Sequence, residues 1–100
     1  MRPEIKRLVL LGRLPSEVDG PSDRLKQVDD ILRTVKKPVT NDEARALSGL
    51  FGVDDCFGLA WSLLHLVESA PGWPLKDVLN AKDSVWIAEL RNRAERGGML

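Results

Sequence analysis

Apolar positions along the chain recur every three to four residues, and no stretch alternates with period two for long enough to make a strand. Ile5, Leu8, Val9 and Gly12 fall on one face of a segment that Pro3 and Glu4 open and Pro15 closes. Proline suits a first helical position, and glutamate suits the positive end of a helix dipole. After the Gly20-Pro21 turn, Ser22 is a capping residue, and Leu25, Val28, Ile31, Leu32 and Val35 keep a helical period. Pro38 stops that helix, because the residue before a proline avoids helical angles.

Thr40-Asn41-Asp42-Glu43 is a capping box, with Val39 and Ala44 placed as a weak hydrophobic staple. Ala44, Leu47, Leu50 and Phe51 form the apolar side of this third helix, and Gly52 is expected to end it in the left-handed conformation. Asp54 is expected to cap a fourth helix reaching about Ser69. Its apolar residues, from Cys56 and Phe57 to Leu66 and Val67, cover about half of the helical wheel. A short turn follows at Leu75–Leu79. A last helix begins between Asn80 and Ser84, carries Trp86, Ile87, Leu90 and Ala94 on one face, and ends at Gly97-Gly98. The pattern predicts an all-α fold: one domain, a compact bundle of five to six short helices packed around a central helix over about residues 55–69.

Composition narrows the function. The 100 residues carry 15 basic and 15 acidic groups. That balance argues against a general nucleic-acid binder, which shows a basic excess. A single Cys56 and a single His65 exclude a disulfide framework and leave too few soft ligands for structural zinc. No cofactor and no metal are expected. The short aliphatic run Leu8–Leu11 is neither a secretion signal nor a membrane span, so a soluble, cytoplasmic protein is expected.

Candidate chemistry is sparse. On a continuous fourth helix Cys56 and His65 lie roughly 13.5 Å apart along the axis and on nearly opposite sides, so they form no nucleophilic dyad. The acidic doublets Asp42/Glu43 and Asp54/Asp55 read as helix-capping groups and not as a paired-carboxylate site. A helix-turn-helix reading of residues 40–66 fails because Asp54–Ser69 contains no Lys or Arg. Charge is uneven: residues 1–37 sum to +3, residues 38–72 to −4 and residues 73–100 to +1. An acidic middle, with Asp54 and Asp55, can orient a charged partner. Trp61, His65 and Glu68 follow i, i+4, i+7 on the polar side of the fourth helix, flanked by Gly58, Ser62 and Ser69. The indole is expected either to pack under another helix, such as the one carrying Trp86, or to stand as an exposed anchor of the kind found at interface hot spots. Trp73, held between Pro71 and Pro74, is expected to fold back as a lid or to extend that patch. Arg91, Arg93 and Arg96, mixed with Glu89 and Glu95, are expected to form a solvated face.

The run Asp54–Leu66, continuing to Pro71-Gly72-Trp73-Pro74, resembles small all-helical bacterial proteins, some of which act as immunity partners that bind and neutralise a toxin. The likeness covers residues 54–74 and carries over no functional residue. The expected function is a non-enzymatic module that binds and occludes one partner protein, in the manner of an immunity protein facing a toxin. Trp61, His65, Glu68, Asp54, Asp55 and Trp73 are the candidate contacts. The alternatives are a ligand-binding or weakly catalytic helical domain with a pocket near His65 and Trp73, and a self-associating subunit in which the Trp stripe makes a homodimer.

Overall fold

Six helices follow one another in the computed structural model, which describes residues 1–19, 22–81 and 84–99, without the side chain of Asp19. The Gly20-Pro21 turn, and Lys82 and Asp83 within the window where the last helix was expected to begin, lie outside the described residues. Helix α1 spans Pro3–Leu11, α2 Asp23–Thr34, α3 Asn41–Ser48, α4 Leu59–Glu68, α5 Lys76–Leu79 and α6 Val85–Arg96. No strand occurs among the described residues, and the all-α expectation holds. No helix among them is long and apolar enough to cross a membrane.

Local chemistry sets most of the boundaries. Ser22 Oγ accepts from the Leu25 N–H at 3.1 Å, and Ser84 Oγ accepts from the Ile87 N–H at 3.3 Å, so both long helices start on a serine cap. The capping box forms as expected. Thr40 Oγ1 accepts from the Glu43 N–H at 3.1 Å, while the Glu43 carboxylate accepts from the Thr40 N–H at 2.9 Å. The start of the fourth helix differs from expectation. Cys56, Phe57 and Gly58 form a 3-10 turn with φ of 48, 54 and 88°, so α4 begins only at Leu59, with Gly58 and not Asp54 at its cap position.

The end of α3 also differs. Gly49 follows its last turn in a right-handed conformation, and Gly52 has no positive φ. Position 52 requires glycine for another reason: a Cβ there would lie 2.6 Å from the Leu14 carbonyl oxygen. The Leu14 N–H donates to the Leu50 carbonyl at 2.8 Å, which laces the strand of chain after α1 onto the segment after α3.

Helix α4 is the centre of the bundle and packs against α2, α3 and α6, while α1 packs on α2 and α3, and α5 on α6. Ala60, Leu63, Leu64 and Val67 of α4 are buried in a continuous apolar cluster that reaches from Ile5 to Leu90. Of the face predicted for α1, Ile5 and Leu8 are buried but Val9 is exposed. The radius of gyration is 12.9 Å, close to the roughly 13 Å of a folded chain of this length.

Arginines join the pieces. Arg2 Nη1 and Nη2 donate to the Lys36 and Pro38 carbonyls beyond α2 at 2.8 and 3.4 Å. Arg24 Nη2 donates to the Leu11 carbonyl at the end of α1 and to the Arg13 carbonyl beyond it, at 2.6 Å each. Arg91 Nη2 donates to the Leu79 carbonyl at the end of α5 and to the Ala81 carbonyl beyond it. The Leu11 and Leu79 carbonyls are ones that a helix end leaves without partners, and the others belong to the connections that follow. Arg93 bonds Glu68 through two nitrogens at 2.8 and 3.0 Å, tying α6 to α4. Arg91 and Arg93 are therefore tethers and not the solvated face their mixed surroundings suggested.

Candidate functional site

Three aromatic rings form a continuous column across the bundle. Phe51 stacks on Trp86 with centroids 5.8 Å apart and planes 11° from parallel, and Trp61 meets the same indole edge-on at 5.0 Å and 88°. Both geometries suit the quadrupoles of the rings. Trp86 is buried and its Nε1 donates to the Asp54 carbonyl at 3.0 Å, which satisfies the one polar atom of the ring. Trp61 keeps 40% of its surface exposed. It thus combines both expected placements: one edge packs against Trp86 and the rest faces outward.

Four residues before Trp61 stands Phe57, which is 53% exposed. The wheel placed Phe57 on the apolar side of a longer helix, and the left-handed turn at 56–58 turns it out instead. A bulky residue at positive φ is rare, because Cβ crowds the backbone at a cost of about 1–2 kcal/mol. Two carboxylates hold the turn in place. Glu17 Oε1 accepts from the Phe57 N–H at 2.7 Å, and Asp54 Oδ1 accepts from the Cys56 N–H at 3.0 Å. Asp54 Oδ2 in turn accepts from the Ser16 hydroxyl at 2.9 Å and the Glu17 N–H at 3.0 Å.

Glu17, Asp54 and Asp55 form an acidic cluster in which one oxygen from each lies within 4.8 Å of the others. Backbone N–H donation from Glu17, joined by Cys56 and the Ser16 hydroxyl, holds the Asp54 carboxyl below its usual range. Glu17 is pushed up, chiefly by the Asp55 carboxyl beside it and against the pull of the Phe57 N–H. Asp54 and Asp55 were expected as capping acids and as candidate contacts; Glu17 was not singled out. The Asp54 side chain serves the turn at 56–58 and the segment 16–17, and α4 starts without a side-chain cap.

The remaining candidates separate. His65 is exposed, and its side chain makes no hydrogen bond or ion pair among the described residues. Cys56 is buried, and burial, reinforced by the charges of Asp54, Glu17 and Asp55, pushes its thiol up. A nucleophilic cysteine needs the opposite environment. The helix does break between Cys56 and His65, yet the thiol points into the core while the imidazole faces outward. Glu68 is engaged by Arg93, which occupies the end of the Trp61 stripe. Trp73 packs against the core partly buried and lines an open cavity of about 520 Å³ with Glu68, Arg93 and Arg96. His65 is not among the residues lining it, so the two are not brought together.

No protein-family model, curated protein or solved structure matches this chain.

Proposed function

We propose that the protein is a non-enzymatic interaction module that binds one partner protein through the face carrying Phe57 and Trp61. The observation that carries this reading is Phe57 itself. A large apolar ring is held outward by a strained left-handed turn, and strain of this kind persists where surrounding structure enforces it, often at binding sites. Trp61 supplies a second ring, pinned edge-on by Trp86. Anchors fixed in advance lose little side-chain freedom on binding, which is why aromatic residues dominate interface energetics. The acidic cluster beside them favours a partner with a basic rim and sets its orientation. The finer reading, an immunity-type inhibitor that occludes a toxin, is supported by the resemblance over residues 54–74.

The test is a capture from source-cell lysate with tagged parent, Phe57→Glu and Trp61→Glu proteins, followed by reconstitution with the purified captured protein. One protein retained by the parent, and bound at least roughly tenfold more weakly by both variants while they remain helical, is the expected result. Equal binding by parent and both variants removes this face from consideration.

A further inference from the structure

A cleft of about 580 Å³ opens where α3 ends and α6 begins, bounded by Arg13, the last turn of α3, the segment 51–53 and α5. That volume lies within the range of small-molecule sites. Its floor is apolar and already fixed: Phe51, Val78 and Ile87 are all buried, and Phe51 is backed by its stack on Trp86. Its rims are Val53 and Val85, exposed by 77% and 68%, two apolar side chains that the fold leaves uncovered.

The polar side of the cleft is unbalanced. Arg45 is engaged, with Nε and Nη1 donating to Asp77 and Asp42 at 2.9 Å each. Arg13 has no ion pair among the described residues. The described lining holds two arginines against one aspartate, a net charge of +1. Ser84 and Val85 at the start of α6 also line it, and the positive end of that twelve-residue helix adds to the same sign.

We infer that this cleft binds a small amphipathic carboxylate, with its apolar ring on Phe51 and Ile87 and its carboxylate on the Arg13 guanidinium. A guanidinium can meet a carboxylate through two parallel hydrogen bonds, which fixes the orientation of the ligand as well as its charge. Asp77, held by Arg45, is not free to recruit a cation to the same place. The inference is independent of the protein-binding reading, since it concerns different residues and a different class of ligand.

The test uses three probes of one shape and different charge: 2-naphthoate, 2-naphthylmethylammonium and 2-naphthalenemethanol. Each is titrated into nitrogen-15-labelled protein while amide shifts are followed. Naphthoate is expected to shift Val53, Val78 and Val85 saturably, with affinity at least about tenfold above that of the cation and the alcohol. Arg13→Gln, a change at an exposed side chain, is expected to weaken naphthoate at least about fivefold and leave the alcohol unaltered. No saturable shift below about 10 mM, equal response to all three probes, or indifference of naphthoate to Arg13→Gln each overturns the inference.

Discussion

Arg2 and Glu43, forty-one residues apart, are joined through three donors: the Arg2 backbone N–H, Nε and Nη2 each reach the Glu43 carboxylate at 3.1 Å. Glu43 is only 1% exposed, yet it also completes the capping box of α3. One carboxylate therefore starts α3 and pins the beginning of α1 to it. The Arg2 hydrogen bond, helped by the Thr40 and Arg2 N–H groups and opposed by burial, lowers the Glu43 pKa from 4.5 to about 2.

A carboxylate depressed in the folded state stabilises it above the unfolded pKa and loses that contribution as pH falls through the folded value. Here the window runs from 4.5 down to about 2. The shift corresponds to about 3 kcal/mol. Urea unfolding is expected to show Glu43→Gln destabilised by about 2–4 kcal/mol at pH 7. Between pH 7 and pH 3 the parent should lose stability that the variant does not. If both lose stability in parallel, Glu43 is not the acid-sensitive group.

Gly52→Ala and Gly58→Ala separate crowding from conformation. At Gly52 a Cβ meets the Leu14 carbonyl oxygen, so the Leu14–Leu50 lacing must shift, and a loss of about 2 kcal/mol or more is expected. At Gly58 nothing lies within 4 Å, but φ is 88°, so a loss of about 1–2 kcal/mol is expected from conformation alone. Chemical denaturation of the two variants checks the order.

Phe57→Gly is expected to raise stability by about 1 kcal/mol, because glycine adopts a positive φ without strain. A drop of more than about 1 kcal/mol in a denaturation experiment would mean that the Phe57 ring is a packing element and not a presented one.

The two central indoles should behave differently. Trp86→Ala removes a buried ring stacked on Phe51 and hydrogen-bonded to Asp54, and about 3–5 kcal/mol should be lost. Trp61→Ala removes a partly exposed ring and one edge-on contact, costing about 0.5–1.5 kcal/mol beyond its modest burial. Acrylamide quenching checks the exposure directly: Trp61→Phe should lower the readily quenched fraction of the fluorescence, whereas Trp86→Phe should not.

What could be read along the chain was whatever depends on neighbours three or four residues away. The Thr40/Glu43 box, the Ser22 cap and the buried face of α6 are local patterns that appear in the fold as written, and the face of α2 does so apart from Leu25, which is partly buried, and Val35, which is buried just past the helix end. The Arg2–Glu43 tether was not legible, because nothing near Arg2 distinguishes it from the other basic residues of the N-terminal third. The start of α4 misled for a physical reason. Cys56, Phe57, Leu59 and Ala60 keep a helical spacing of apolar side chains, but Gly58 permits a left-handed backbone that Asp54 and Glu17 then hold. Gly58 after Phe57 was the available signal. Trp61 was singled out along the chain and stands partly exposed, while Phe57 and Glu17 were missed because their placement depends on a turn whose supports are forty residues apart.

The division of labour among the cations has a practical side. Every ion pair among the described residues uses arginine, and no described lysine side chain pairs or hydrogen-bonds with another described residue. Lys6, Lys26, Lys36, Lys37 and Lys76 all lie exposed, on α1, on α2, just beyond α2 and on α5. Amine-directed chemistry on these five lysines, such as acetylation, dye labelling or immobilisation on a surface, therefore touches none of the bonds described above between the helices. Reagents aimed at guanidinium groups would instead free the Leu11 and Leu79 carbonyls at two helix ends and those of Lys36 and Pro38 beyond α2, so the two chemistries separate an attachable set of cations from the arginines that tie the helices together.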